Sequence, residues 1–218
     1  MDYVLALIAA LLAAFVVRKL CRYRSLSPLL PRRYNFGKRG DTFRETLVLL
    51  EQKQARVLVE TGVARRGLSN SKGDGASTIV FGQWAKNHDA RLYSVDIDAE
   101  ATAIAARSLA DMNLLDVVTL TTSDSVAYLE SFDKPVDFLY LDSFDYHKTD
   151  LAVQAACQEH HLKEFQAIEH RLHDRSFVLI DDCHLPGGGK GKTVIDYMLQ
   201  HGWNMHMYQY QALLTPPG

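Results

Sequence analysis

The chain has 218 residues, 47% hydrophobic and 23% charged, a balance that suits one globular domain with an appendage. A formal net charge of −2 lacks the strong basic excess of a general nucleic-acid binder. Cys21, Cys157 and Cys183 are too few and too scattered for a disulfide framework, and no CxxC pair points to zinc, so a reducing compartment fits.

The first element is an uncharged run, Tyr3 to Val17, followed by Arg18, Lys19, Arg22, Arg24, Arg32 and Arg33. It is slightly shorter than the roughly 17–25 residues that span a bilayer, and Leu20 and Cys21, with snorkelling of Arg18 and Lys19, would extend it. A cleaved signal peptide carries its positive charge ahead of the apolar run, whereas here the charge follows. This order favours an uncleaved single-pass membrane anchor that leaves the domain on the cytoplasmic side; a signal peptide and an interfacial or buried helix are the alternatives. The expected division is an anchor over 1–24, a basic linker over 25–40 with Pro28, Pro31, Gly37 and Gly40, and a domain over 41–218.

After a short helix over 41–54, strands and helices alternate. Strands are expected at 55–61, 90–98, 117–124, 136–142 and 176–182, with one or two more in 203–216. Helices are expected at 77–88, 99–113, 125–131, 149–173 and 192–202. Strands separated by helices of this length predict an α/β fold, a Rossmann-like, doubly wound and mostly parallel sheet with helices on both faces.

Acidic residues recur at the strand C-termini: Glu60, Asp96, Asp124, Asp142, and Asp181 beside Asp182. In open α/β sheets ligands bind outside these ends. One such acid alone reads as a helix cap or a solvated turn. Five successive strands that each deliver an acid to one edge suit a ligand rich in hydroxyl and amino groups, or a divalent cation. The loop GVARRGLSNSKGDGAST after the first strand has glycines at 62, 67, 73 and 75, but not the compact G-x-G-x-x-G of a dinucleotide site. Asp96-Ile97-Asp98 also matches the D-x-D of sugar-nucleotide transferases, but a three-residue match is common by chance and Asp98 reads rather as a cap for the helix at Ala99.

On these residues the chain resembles the class I S-adenosylmethionine-dependent methyltransferases. Glu60-Thr61-Gly62 is similar to their first motif, Asp96 to the acid that holds the ribose hydroxyls, and Asp124 to the acid near the adenine amino group. The resemblance implies cofactor contacts at Glu60, Thr61, Gly62, Ser77, Asp96, Ile97, Asp124, Ser125 and Asp142. Within that class VDFLYLDSFDYH and IDDCHLPG resemble the catechol O-methyltransferase-like, metal-dependent branch. That implies a metal, Mg²⁺, on Asp142, Asp181 and Asp182, with Asp182 standing where the branch often has asparagine. Adjacent carboxylates at a strand end repel each other, and a hard divalent cation with oxygen ligands relieves the conflict. The alternatives are that Asp182 points to solvent or that no metal binds.

Asp145 stands where the branch carries a lysine, and His147 and Lys148 are close by. Asp142, Asp145 and His147 are the candidate catalytic residues, Asp145 and His147 as possible bases. His184 reads as a surface residue by default, with base, ligand or lid as alternatives. GGGKGK (187–192) reads as a mobile loop from which Lys190 or Lys192 meets an acidic substrate, or as a plain link into the next helix. The expected function is S-adenosylmethionine-dependent O-methylation of a small molecule. The rivals are an NAD(P)-dependent oxidoreductase and a membrane-tethered, non-catalytic binding module of the same fold.

Overall fold

Short apolar runs rich in β-branched and aromatic residues pair into one sheet in the computed structural model, which describes residues 2–23 and 36–217. The strands are β1 (Val57–Thr61), β2 (Arg91–Asp96), β3 (Val118–Thr122), β4 (Val136–Leu141), β5 (Leu172–Ile180), β6 (Asn204–Tyr208) and β7 (Ala212–Thr215). The helices are α1 (Asp2–Tyr23), α2 (Gly40–Gln52), α3 (Ser71–Asp74), α4 (Ser77–Asn87), α5 (Ala99–Asp111), α6 (Ser125–Ser131), α7 (Leu151–Ile168) and α8 (Lys192–Gln200). The strand order is β3-β2-β1-β4-β5-β7-β6. The first five run parallel; β7 is antiparallel to β5, and β6 to β7.

Strand β4 explains why the core is double-sided. Its alternation sends Phe138 and Tyr140 to one face, against Phe81 of α4 at ring-centroid distances of 4.9 and 5.6 Å. Leu139 and Leu141 face the other way, into a cluster with Phe165 of α7 and Met198 of α8. A strand covered on both faces needs a continuous apolar run, and VDFLYL supplies one.

The helix expected over 149–173 ends at Ile168, and β5 begins at Leu172. A 3₁₀ turn over Glu169–Arg171 follows α7, and Leu172 pairs with Val136 before a bulge, so sheet pairing claims Leu172 and His173, the last residues of the expected helix. At its other end β5 stops at Ile180, because Asp182 takes φ 53° and turns the chain. Asp181 still donates its N–H to the Leu141 carbonyl at 3.0 Å.

The chain divides into two units, residues 1–34 and 35–218. In the first, α1 carries exposed apolar side chains from Val4 to Val17. Among the described residues no helix is long and apolar enough to cross a membrane, which overturns the expected single-pass anchor and the cytoplasmic placement drawn from it. A 15-residue uncharged stretch rises only about 22 Å at 1.5 Å per residue, against a hydrocarbon core of about 30 Å. Residues 24–35, which include most of the linker expected over 25–40, lie outside the described residues. The last part of that linker belongs to the sheet domain: Gly37–Arg39 forms a 3₁₀ turn, and Phe36 is buried edge-on against Phe43.

Candidate functional site

The chain leaves β1 toward α4 and leaves β4 toward α7, on opposite faces of the sheet. A crevice therefore opens at the carboxyl ends of these adjacent strands, where ligands of such sheets bind. Gly62 forms its floor. With φ 82° it turns the chain sharply while its N–H donates to the Val95 carbonyl at 2.8 Å. A Cβ at this position would lie 2.6 Å from the Asp142 carbonyl oxygen, so only glycine lets the two strand ends meet so closely.

A cavity of about 310 Å³ lies beside Gly62, lined by Asp96, Ile97, Asp142, Phe144 and Asp145 among others. A second, of about 280 Å³, shares Gly62, Asp96, Ile97 and Phe144 with it and reaches Asp124, Ser125 and His160. Asp96 stands where they join. Its carboxylate accepts the Val63 N–H at 3.0 Å and the Asp98 N–H at 2.9 Å, which fixes its orientation. Ile97 projects between them, 74% exposed. Asp98 caps α5 through the Glu100 N–H, and Asp124 caps α6 through the Ala127 N–H. Ser125 Oγ lies 3.0 Å from His160 Nε2, and that ring stands 3.3 Å from the buried Glu164 carboxylate. The Glu164 hydrogen bond raises the His160 pKa.

Two of the expected cofactor residues, Glu60 and Thr61, sit behind the crevice. Glu60 is fully buried and lines neither cavity. It accepts hydrogen bonds from the hydroxyls of Ser77 and, at 2.6 Å, Ser94. Burial pushes its carboxyl up to about 7, although those hydroxyls pull it down. Thr61 is buried and donates to Glu164 at 3.2 Å. Ser77, the first residue of α4, also lines the larger cavity.

Asp142, Asp181 and Asp182 converge as expected, with ligand atoms within 4.8 Å of one another. Two side chains assigned elsewhere from the sequence join them. Arg39 Nε lies 2.9 and 2.8 Å from the two oxygens of Asp181, and its Nη2 lies 2.6 Å from Asp181 Oδ2 and 3.0 Å from Asp182 Oδ1. Lys190 Nζ lies 2.6 Å from Asp142 Oδ1 and 3.6 Å from Asp182 Oδ2. Lys190 is 3% exposed, so it is not carried on a mobile loop as the glycines before it suggested. Burial alone would lower its ammonium, but Asp142, Asp182 and Asp181 hold it raised. Burial pushes Asp181 up, whereas its two-pronged bond to Arg39 holds it down. The net direction is upward, with the Asp142 carboxylate adding to burial, while Arg39, whose guanidinium has no accessible neutral form, keeps its charge beside it. The second oxygen of Asp142 accepts the Tyr140 hydroxyl at 3.3 Å, and that hydroxyl accepts from Gln211 at 3.2 Å.

Asp145 lines the larger cavity, and both its oxygens are bound by Arg65 at 3.0 and 2.7 Å, which holds its carboxyl below the usual range. His147 does not join the site. It lines neither cavity, and its Nδ1 accepts the Asp150 N–H at 3.0 Å, organising the turn into α7. His184 is exposed and packs edge-on against Tyr208. Sequence reasoning missed Arg39, His160 and the Arg65–Asp145 pair. The signal for Arg39 was its place in a basic stretch, which is also what a linker looks like.

The sheet order and the acid-lined crevice are those of the class I S-adenosylmethionine-dependent methyltransferases. The family described as a methyltransferase domain matches residues 72–183, more than half of the chain, and the chain belongs to it. Among solved structures, an O-methyltransferase from Bacillus cereus in complex with S-adenosylhomocysteine matches at TM-score 0.58 and 14% identity, covering 86% of this chain and 84% of that one. The O-methyltransferase TomG from Streptomyces achromogenes, involved in tomaymycin synthesis and in complex with S-adenosylmethionine, matches at TM-score 0.55 and 16% identity, covering 82% and 80%. A methyltransferase from Podospora anserina bound to S-adenosylhomocysteine matches at TM-score 0.59 and 9% identity, covering 81% and 78%. No curated protein matches the chain.

Proposed function

We propose that this methyltransferase transfers the methyl group of S-adenosylmethionine to a hydroxyl of a small molecule, in the crevice between β1 and β4. The observation that carries the reading is Asp96. Two backbone N–H groups fix its carboxylate where the two cavities join, and its remaining lone pairs suit a pair of ribose hydroxyls. Ile97 offers an apolar surface for a nucleoside, and Asp124, Ser125 and His160 offer polar partners for a base in the smaller cavity. Gly62 keeps this end of the crevice open. Glu60 and Thr61 act from behind, by fixing the turn that Gly62 makes, and Ser77 joins them to the larger cavity through its hydrogen bond to Glu60.

The cofactor, when bound, supplies a methyl group on a sulfonium; a carbon–oxygen bond forms to the acceptor as the sulfur–carbon bond breaks. The residues must hold the acceptor oxygen about 3 Å from that carbon and take its proton. Asp142 is the carboxylate that faces the larger cavity from the strand end, and we assign it the proton. Asp145, clamped by Arg65, orients the acceptor at the mouth. Three carboxylates within 4.8 Å are a donor set that Mg²⁺ accepts, but here each is already engaged by Arg39 or Lys190. No step is assigned to a metal.

Calorimetric titration of S-adenosylmethionine and S-adenosylhomocysteine into the full chain tests the reading. The expected result is micromolar binding, about −8 kcal/mol, weakened roughly 10- to 100-fold in Asp96→Ala. Binding of NAD(P) instead would favour an oxidoreductase, and binding of no nucleotide would favour a non-catalytic module.

A further inference from the structure

We infer that Arg39 and Lys190 take the place of a divalent cation, so that the acid cluster at the ends of β4 and β5 is neutralised by the chain itself and holds no metal. Three carboxylates in one buried corner need compensating positive charge. A divalent ion is one source; a guanidinium and an ammonium carry the same total charge and are already there.

The fit of Arg39 goes beyond a chance contact. Its Nε and Nη2 bind Asp181 and Asp182, its Nη1 donates to the Gly73 carbonyl at 3.0 Å, and the Tyr210 ring lies 4.8 Å from its Cζ. The backbone makes room for it: a Cβ on Gly75 would stand 2.9 Å from Arg39 Cδ. Lys190 is seated in a similar way. The turn that delivers it brings Gly189 so close to the Asp182 carbonyl that a Cβ there would lie 1.9 Å away. Lys190 then returns its own N–H to that carbonyl at 3.3 Å, while Nζ meets Asp142. Arg39 is 5% and Lys190 3% exposed. A metal on the three acids would have to strip two buried cations of their partners without offering them new ones.

Both oxygens of Asp181 are taken up by Arg39, so this residue has no free oxygen facing either cavity. Of the three, Asp142 lines one of the two described cavities and the others line neither; one of its oxygens is on Lys190 and the other on Tyr140. Acceptor binding would then depend on shape and on Asp142 and Asp145, not on chelation of adjacent hydroxyls.

The test is Mn²⁺ titration of the full chain, followed by the loss of the free-ion paramagnetic resonance signal. It requires neither cofactor nor acceptor, so its outcome is separate from that of the proposed methyl transfer. Wild-type protein is expected to leave the signal at its free intensity. Lys190→Met, and Arg39→Met with Lys190→Met, checked for folding by circular dichroism, are expected to take up one equivalent. A one-equivalent site in wild type that disappears in Asp142→Asn would overturn the inference, as would folded neutral variants that still take up none. Should the neutral variants fail to fold, the wild-type titration decides alone.

Discussion

Arg39 and Asp181 stand 142 residues apart in sequence and meet through both carboxylate oxygens at the carboxyl end of β5. The contact makes a turn ahead of α2 part of the sheet's functional edge. Removing one member of such a buried pair leaves the other charge uncompensated, a loss of about 3–5 kcal/mol. Arg39→Met should therefore lower unfolding free energy by that order in urea titration. A loss below about 1 kcal/mol would mean that solvent reaches the pair.

The same contact fixes where the domain begins. A fragment starting at residue 36 keeps Phe36 and Arg39, and one starting at residue 41 loses both. The longer fragment should show a cooperative thermal transition well above that of the shorter. Equal midpoints would show that the turn over Gly37–Arg39 is an ornament.

Gly62→Ala should damage the crevice more than the sheet. A positive φ and a Cβ 2.6 Å from the Asp142 carbonyl require β1 and β4 to part at their ends. The strain is about 2 kcal/mol or more. Calorimetry should find cofactor binding weakened by at least tenfold in protein that is still folded. Unchanged affinity would mean that the cofactor does not lie against this turn.

Glu60 makes stability depend on pH. Its carboxyl is raised to about 7 from an ordinary 4.5, first by burial. The folded state then binds more protons than the unfolded state between these values. Stability therefore falls as pH rises across the window, by about 3 kcal/mol in total. Glu60→Gln keeps the shape and removes the titration, so its Tm between pH 5 and 8 should fall less than that of wild type. A wild-type Tm that climbs over this range would contradict the burial of a neutral carboxyl.

His160 acts in the same direction by a different route. Its pKa is raised by the hydrogen bond to Glu164, so it contributes stability while protonated. That contribution is complete below about 6.5 and is lost as pH rises through the raised value. His160→Gln should lower stability by about 1 kcal/mol at pH 6 and have a smaller effect above pH 8. Equal effects at both pH values would mean that the ring is neutral throughout.

Much of this was legible in the sequence because parallel strands buried on both faces are written as unbroken apolar runs. Strands β1 to β4 and helices α4 to α6 lie within two residues of where the runs and caps put them. The end of α7 was not legible, since His173–Arg175 is polar and the stretch becomes strand only as Leu172 pairs with Val136 of β4. The places of Asp96, Asp142 and the Asp181–Asp182 pair at the strand ends were legible from where the apolar runs stop. The partners of those acids were not, because nothing local in residues 37–39 or 187–192 reports a contact that only the finished fold creates. A basic residue in a glycine-rich stretch reads as solvated until its depth is known.

The distance in sequence between Arg39 and its partners also sets a timetable. The 142 residues that separate Arg39 from Asp181 take roughly 7–30 s to synthesise at about 5–20 residues per second. During that interval the first cation of the cluster is already made and the acids it binds are not. Until Asp181 and Asp182 have been made, the Arg39 guanidinium has neither of these carboxylate partners and its charge is left to solvent. The corner where Arg39 and Lys190 meet the acids at the ends of β4 and β5 is thus among the last parts of the sheet domain to be completed.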